Sequence, residues 1–321
     1  MSSSWRPTAT LSALRRRAAM LAGAREFFAK RGVLEVETPL MSAAAVTDPQ
    51  IESLATRVSG LAAPSYLCTS PEYAMKRLLA AGSGDIYQIC KVFRDGERGR
   101  WHNPEFTLIE WYRLGMDDAA LMSEVELLIG ELLAPDRRLG AAERLSYSAA
   151  LQRHAEVDAY AASDAALAAA AARHGIVCHA DLDRDARLDL LMGLIVGPQL
   201  GRGRPSFICD YPASQAALAR LKPGSPPVAA RFELYLDGIE LANGFHELTD
   251  AAEQRARFTR DLELRRARGQ VQPPPDERLL AALESGVPDC AGVALGFDRL
   301  VAIALGAARL ADGMTFTIDG A

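Results

Sequence analysis

Residues 231–248 read RFELYLDGIELANGFHEL, and the fold turns on how this stretch pairs with itself. Residues 232–236 and 239–243 alternate as half-buried strands do, with Asp237-Gly238 between them. Asp-Gly flanked by such runs is a strong hairpin signal, because both residues of the tight turn take positive φ. A two-residue loop then sets the register: Leu236 opposes Ile239, Tyr235 opposes Glu240 and Glu233 opposes Ala242. Opposed residues share a face, so Glu233 and Glu240 become diagonal neighbours about 7–8 Å apart. A third acid, Glu247, lies just past the strand. Strict alternation sends Asn243 and Glu247 to the face opposite Glu240, and a bulge near Asn243-Gly244 would reunite them.

Acids on a hairpin usually form a solvated outer face. The alternative is a divalent cation, since Mg²⁺ takes one or two carboxylates and leaves its other positions to phosphate and water. The segment after Glu240, LANGFHEL, is too apolar and glycine-bearing for a wet rim.

Composition narrows the classes. The chain has 321 residues, 49% hydrophobic and 24% charged, enough for one large domain or a domain with a subdomain. A net charge of −5 gives no electrostatic case for a nucleic-acid coat. The five cysteines are scattered without C-x-x-C spacing, which argues against a disulfide framework or a zinc site and fits a reducing cytoplasm. No apolar run approaches the roughly 18 residues of a membrane span, so no membrane association is expected. Residues 1–10 (MSSSWRPTAT) have no apolar core of a signal peptide and read as a flexible arm. The cluster at residues 15–17 (RRR) is either an RNA contact or the polar face of the first helix.

Taken in order, residues 11–31 have helical apolar spacing, with Ser12 as N-cap and Gly32 as C′ residue. A strand at 33–36 stops at Thr38-Pro39, and residues 42–64 read as loop or weak strand. After a strand at 66–69, Ser70 caps a helix with Pro71 in its first turn. Residues 85–93 and 105–112 are strands joined by the loop DGERGRWHNP. Arg94 closes an apolar strand, where its planar fork suits a phosphate or carboxylate. Residues 118–200 read as Ala-rich helices at 118–133, 163–174 and 185–196, followed by a strand at 207–211 and a short helix at 214–221. Residues 222–227 (KPGSPP) form a hinge or surface loop, and helices are expected at 250–268 and 276–285. Residues 292–296 form a glycine-bearing strand that lets a ligand approach the backbone, and an apolar helix runs on to about 310. Arg299 falls in that helix's first turn, against the dipole, which points to a bound anion.

Strand-end arginines, paired carboxylates and glycine-permitted approach describe a nucleoside triphosphate on an antiparallel sheet. Neither G-x-x-x-x-G-K-[ST] nor G-x-G-x-x-G occurs, so a P-loop and a dinucleotide fold are unsupported. At this point the chain resembles the catalytic core of class II aminoacyl-tRNA synthetases, an α+β fold with an antiparallel sheet flanked by helices. Residues 31–39 (RGVLEVETP) look like the dimer-forming first motif. The second spans about 87–112 and contains FRDGERGRWHNPEFTLIEWY; the third spans about 290–310 and contains GVALGFDRL. TSPEYAMKR at 69–77, HNPEF at 102–106 and ELANGFHEL at 240–248 are similar to lysyl-tRNA synthetases in particular. The resemblance covers about residues 11–315, read as one catalytic domain over 11–321. With the first motif near residue 31, no room is left for an anticodon-binding domain. Such a core-only chain resembles the paralogue family that joins (R)-β-lysine to a lysine of elongation factor P.

That resemblance implies ATP and Mg²⁺, elongation factor P as protein substrate, a homodimer through the first motif, and no stable tRNA binding. Position by position it implies Arg94 at the α-phosphate and Arg299 at the γ-phosphate. Asp95, Gly96, Glu97, His102, Asn103, Glu240, Leu241 and Gly296 would contact ATP, and Glu233 and Glu240 would hold Mg²⁺. Glu110, Tyr112 and Glu247 would recognise the distal ammonium, and Ser70 and Glu72 the amino group near the carboxylate. Asn243 would orient the substrate head, and Ala294, where the synthetases have Gly, would reshape the amino-group pocket. Gly96 departs from the usual Arg-x-Glu of the second motif, which moves the adenine contact to Glu97 or to backbone. The competing readings are a truncated tRNA-charging or small-amide-forming enzyme and a non-catalytic synthetase-like regulator.

Overall fold

A computed structural model of the chain describes residues 5–179 and 182–321. Residues 1–4 of the expected arm, and 180–181 within the Ala-rich region, lie outside the described residues. The chain divides into two compact units, one of residues 1–115, 131–137 and 249–321, the other of residues 116–130 and 138–248.

The first unit begins with α1 (Leu11–Ala29), β1 (Leu34–Glu35), β2 (Met41–Ser42), β3 (Ala55–Thr56) and β4 (Ser65–Leu67). It continues with α2 (Glu72–Ala80), β5 (Ile86–Phe93) and β6 (Glu105–Leu114). The second unit follows with most of α3 (Asp118–Leu133), then β7 (Glu143–Ser146), α4 (Tyr147–Ala155), α5 (Asp164–Arg173) and α6 (Arg184–Leu191). After these come β8 (Ser206–Pro212), β9 (Leu221–Lys222), β10 (Val228–Leu236) and β11 (Ile239–His246). The chain returns to the first unit with α7 (Ala251–Ala267), α8 (Glu277–Gly286), β12 (Cys290–Gly296) and α9 (Phe297–Ala304).

In the first unit β1, β5, β6 and β12 lie in that order, β1 parallel to β5 and the others antiparallel. One face is sealed by α1: Phe28 stacks on Tyr87 with ring centroids 4.3 Å apart and meets Trp111 edge-on. Tyr87 and Trp111 are cross-strand partners, so alternation turns Gln88, Glu110 and Tyr112 to the other face. Glu110 and Tyr112 of the candidate site lie on that other face. In the second unit β11, β10, β8 and β7 lie in order over a core that includes Tyr147, Leu151, Leu188, Ile208 and Tyr211.

Several sequence expectations shift. The N-cap of α1 is Thr10, whose Oγ1 accepts from Ala13 N at 3.2 Å, rather than Ser12; Gly32 does take positive φ, +67°. Thr8 and Ala9 are no loose arm, since their N–H groups donate to Thr315 O and Met314 O at 2.8 and 3.1 Å. The helix expected at 214–221 is a short 3-10 turn, Ala213–Gln215, ended where Ala217 takes φ +48°. Lys222 belongs to β9, and its Nζ donates to Asp118 and Asp210 at 2.6 and 2.9 Å, so this part of the expected hinge is anchored. The Ala-rich region contains a strand, β7, paired parallel to β8. No helix among the described residues is long and apolar enough to cross a membrane. The arginine cluster is mostly structural: Arg16 donates to Asp136, and Arg17 ties Asp298 to Thr107.

Candidate active site

On the first unit's open face, β6 places Phe106, Leu108, Glu110 and Tyr112 in one row. Directly opposite on β12 stand Gly296, Ala294 and Gly292, facing Leu108, Glu110 and Tyr112 respectively. Three small residues at alternate positions keep the sheet bare beside a row of larger groups. This is how the sequence makes room for a ligand on a flat surface. Ala294 is the one residue of the three with a side chain, and it is the cross-strand partner of Glu110.

Glu110 is only 2% exposed, and a buried carboxylate needs partners. Ser70 Oγ donates to one of its oxygens at 2.8 Å and Tyr112 Oη to the other at 2.7 Å. Each hydroxyl has one proton, and each spends it on Glu110. Their remaining lone pairs can only accept, which suits an ammonium donor. Burial, and then the Glu110 charge, push the neighbouring Cys68 thiol up to about 11, so it stays protonated. Glu72 is already engaged by Lys76, whose Nζ donates to it at 2.7 Å across one turn of α2. Lys76 is 1% exposed. The sequence reading missed it, although its i, i+4 spacing from Glu72 was a visible signal.

At the open end of the same row, Arg94 follows β5, with its guanidinium 5.1 Å from the Phe106 ring centroid and its Nε donating to Thr69 O. Phe106 was quoted in HNPEF without a role, and its place on the β6 row is what marks it. Arg299, in the first turn of α9, donates from Nε to Trp101 O at 3.2 Å and meets His102 Nε2 at 2.8 Å. Burial first, then the charge of Arg299, and also that of Arg94, hold His102 below its ordinary 6.5, while Glu97 pulls the other way. Arginine never deprotonates, so toward Arg299 the His102 Nε2 can only accept, while the Glu97 carboxylate approaches the same nitrogen. Two guanidinium groups acting on one imidazole make an electropositive spot suited to phosphate. Gly96 sits at φ +76°, a backbone state that disfavours Glu, and Glu97 lies 3.2 Å from His102. The acid has moved one residue along. Asn103 is 6% exposed and braced by Ile318 N and Glu105 O, so its side chain is occupied inside the protein.

In the second unit the hairpin is present, with Asp237 and Gly238 at φ +54° and +77°. Leu236 opposes Ile239 and Tyr235 opposes Glu240, as expected. The bulge comes earlier than expected: the register shifts so that Leu234 pairs with Ala242 and Glu233 with Asn243, leaving Leu241 as the extra residue. Glu233 therefore does not oppose Ala242. One inserted residue brings Asn243 onto the face of Glu233 and Glu240, and alternation carries Glu247 there too. Glu247 is fully buried. Asn243 Oδ1 is buried without a hydrogen-bond partner, an orphan that a ligand donor would satisfy.

Glu233 is not a vacant ligand for the expected cation. Its oxygens accept from Arg231 Nη2 at 2.6 Å and Tyr235 Oη at 2.7 Å, so a cation is already beside it. Among the described residues no group of three or more metal-ligating side chains occurs.

A family model described as class II tRNA synthetases (D, K and N) matches residues 3–319. The chain belongs to this family, and its α+β architecture, with antiparallel strands flanked by helices, is that of the class. Among curated proteins it is 52% identical over 323 residues to the elongation factor P–(R)-β-lysine ligase of Salmonella arizonae, covering 99% of this chain and 98% of that one. The protein of the same name from Klebsiella pneumoniae is 51% identical with the same coverage.

Proposed function

We propose that this chain activates (R)-β-lysine with ATP as an aminoacyl-adenylate and transfers it to a lysine ε-amino group of elongation factor P. The observation that carries this reading is the Ser70–Glu110–Tyr112 cluster beside the Gly292–Ala294–Gly296 floor. It is an acceptor-only pocket for an ammonium, in a chain whose near-full-length relatives bear the ligase name.

In the first step a substrate carboxylate oxygen attacks the α-phosphorus, forming an acyl–phosphate bond as pyrophosphate leaves. Arg94 opposes the charge that builds on the α-phosphoryl group, and Arg299 orients the γ-phosphate. Asp95, Gly96, Glu97 and His102 form the nucleotide loop, with Glu97 or its backbone at the adenine. Gly296 and Leu241 permit close backbone approach. Glu233 and Glu240 would hold Mg²⁺, which would supply charge neutralisation on the phosphates. Glu110 and Tyr112 receive the distal ammonium, and Ser70 and Glu72 the amino group nearer the carboxylate. In the second step an unprotonated lysine amine attacks the acyl carbon. The amide forms, AMP leaves with the bonding pair, and the amine proton passes to solvent.

The edge strand β1 exposes Leu34 at 55%. This apolar edge supports a homodimer through the first motif. A cytoplasmic site of action belongs to the same reading. The test is the intact mass of elongation factor P after incubation with the chain, ATP and (R)-β-lysine. A single β-lysyl addition that disappears without ATP is expected; an unmodified acceptor contradicts the transfer step.

A further inference from the structure

Residues 95–103 link β5 to β6 and carry most of the proposed nucleotide contacts, yet they hold themselves together poorly. Their internal backbone bonds are short-range, Arg98 N to Gly96 O and a Gly99–His102 pair at 3.2–3.3 Å, and much of the segment is exposed. Asp95 N donates to Glu52 O at 2.9 Å and Arg299 reaches Trp101 O and His102, and the end of the chain supplies the remaining braces. Ile318 N donates to Asn103 Oδ1 at 3.0 Å, and Asn103 Nδ2 donates to Glu105 O at 2.6 Å, so this buried amide joins the tail to the start of β6. Arg98 pairs with Asp319. Just upstream, Leu310 N donates to Arg100 O at 2.9 Å, and Arg100 Nε to Ala308 O at 2.6 Å. The tail is itself anchored through Thr315 and Met314, whose carbonyls accept from Thr8 and Ala9. Between tail and body lies a cavity of about 230 Å³, lined by Arg17, Lys91, Asn103 and Asp298.

We propose that residues 314–319 are a positioning strap for the 95–103 loop. By holding Asn103 through the Ile318 N–H, the strap fixes the neighbouring His102 and its contact with Arg299 before any nucleotide arrives. The exposed Arg98–Asp319 pair adds little, since both side chains are about two-thirds exposed (68% and 64%). The buried amide carries the effect, because Asn103 Oδ1 has no other partner among the described contacts, and an orphaned buried acceptor is costly. The consequence for ATP rests on the function proposed above; the mechanical consequence for the loop does not.

The discriminating variant is Ile318→Pro. Gly320 N donates to Thr317 O at 2.9 Å, which makes Ile318 the second residue of a tight turn, a position that favours proline. The substitution therefore removes one N–H and leaves the turn. Ile318→Val, which keeps the N–H, is the rescue control, and removal of residues 316–321 is the alternative should Ile318→Pro fail to fold. In ligand-free protein, hydrogen–deuterium exchange over 95–103 is expected to quicken about tenfold in Ile318→Pro, the size of one lost hydrogen bond, and to stay unchanged in Ile318→Val. ATP–pyrophosphate exchange is expected to show KM for ATP raised about five- to tenfold with kcat within about twofold. Unchanged exchange over 95–103 in a folded Ile318→Pro protein overturns the strap. Faster exchange there, with no pyrophosphate exchange even in the unsubstituted chain, upholds the strap and overturns the assigned function instead.

Discussion

Arg299 stands at the positive end of α9, where the helix dipole repels it, and in the structure it is steadied by Trp101 O and His102. A cation kept there at a cost points to an anion, and Arg299→Ala is expected to lower kcat/KM for ATP by about 10²–10³. Its melting temperature should stay within a few degrees of the parent, because the residue is only half-buried; retained activity would remove Arg299 from the γ-phosphate. His102 gives a pH signature. Its folded-state pKa lies below 6.5, so the folded protein binds fewer protons than the unfolded chain between the two values. Stability is therefore unaffected by this group above about pH 7 and declines as pH falls through 6.5 toward the lowered value. An NMR titration should place His102 below free histidine, and Glu97→Gln should lower it further by removing the one raising charge. A titration at or above 6.5 would contradict the Arg299 contact. At this scale Arg94 and Arg299 stand out in the sequence because they are chemically odd where they stand, whereas Glu110 was named only through the family resemblance. Glu233 was half legible. Arg231 and Tyr235 lie two residues either side of it, hence on its face, and this alternation was in the sequence but was read only for the acids.

The hairpin element shows what local chemistry can and cannot specify. The Asp237-Gly238 turn and its first two pairs followed from sequence because turn residues act on their immediate neighbours. The bulge at Leu241 did not, since its position is set by how β10 and β11 settle into the sheet. For the same reason β7 was lost in an Ala-rich helical stretch: its partner β8 lies some sixty residues away, and four residues carry too little pattern. The turn itself rests on Gly201, whose O accepts from Asp237 N at 3.0 Å. A Cβ on Gly201 would lie 2.5 Å from Leu236 Cα at φ +72°. Gly201→Ala is expected to cost about 3 kcal/mol or more, combining left-handed strain with backbone overlap. Gly203, at φ +79° with nothing within 4 Å, is the control and should lose only about 1 kcal/mol on the same change. Chemical denaturation measures both; equal losses would contradict the close approach that seats the hairpin.

Across the whole molecule, the fold class came from motifs spread over nearly all of the chain and occurring in order, a signal that no single element carries. The match over residues 3–319 rests on the same breadth. Local physics then explains why those motifs look as they do. Small residues on β12 leave room, a carboxylate on β6 turns two hydroxyls into acceptors, and an inserted Leu241 gathers Glu240, Asn243 and Glu247 on one face. The identity of the amino acid that is activated is the central claim, and ATP–pyrophosphate exchange tests it most directly. With purified chain and (R)-β-lysine, L-lysine and L-aspartate in parallel, exchange is expected to be strongest with (R)-β-lysine, weaker with L-lysine and absent with L-aspartate, which lacks the distal ammonium. Strong preference for L-lysine, or no exchange with any of the three, would contradict the account.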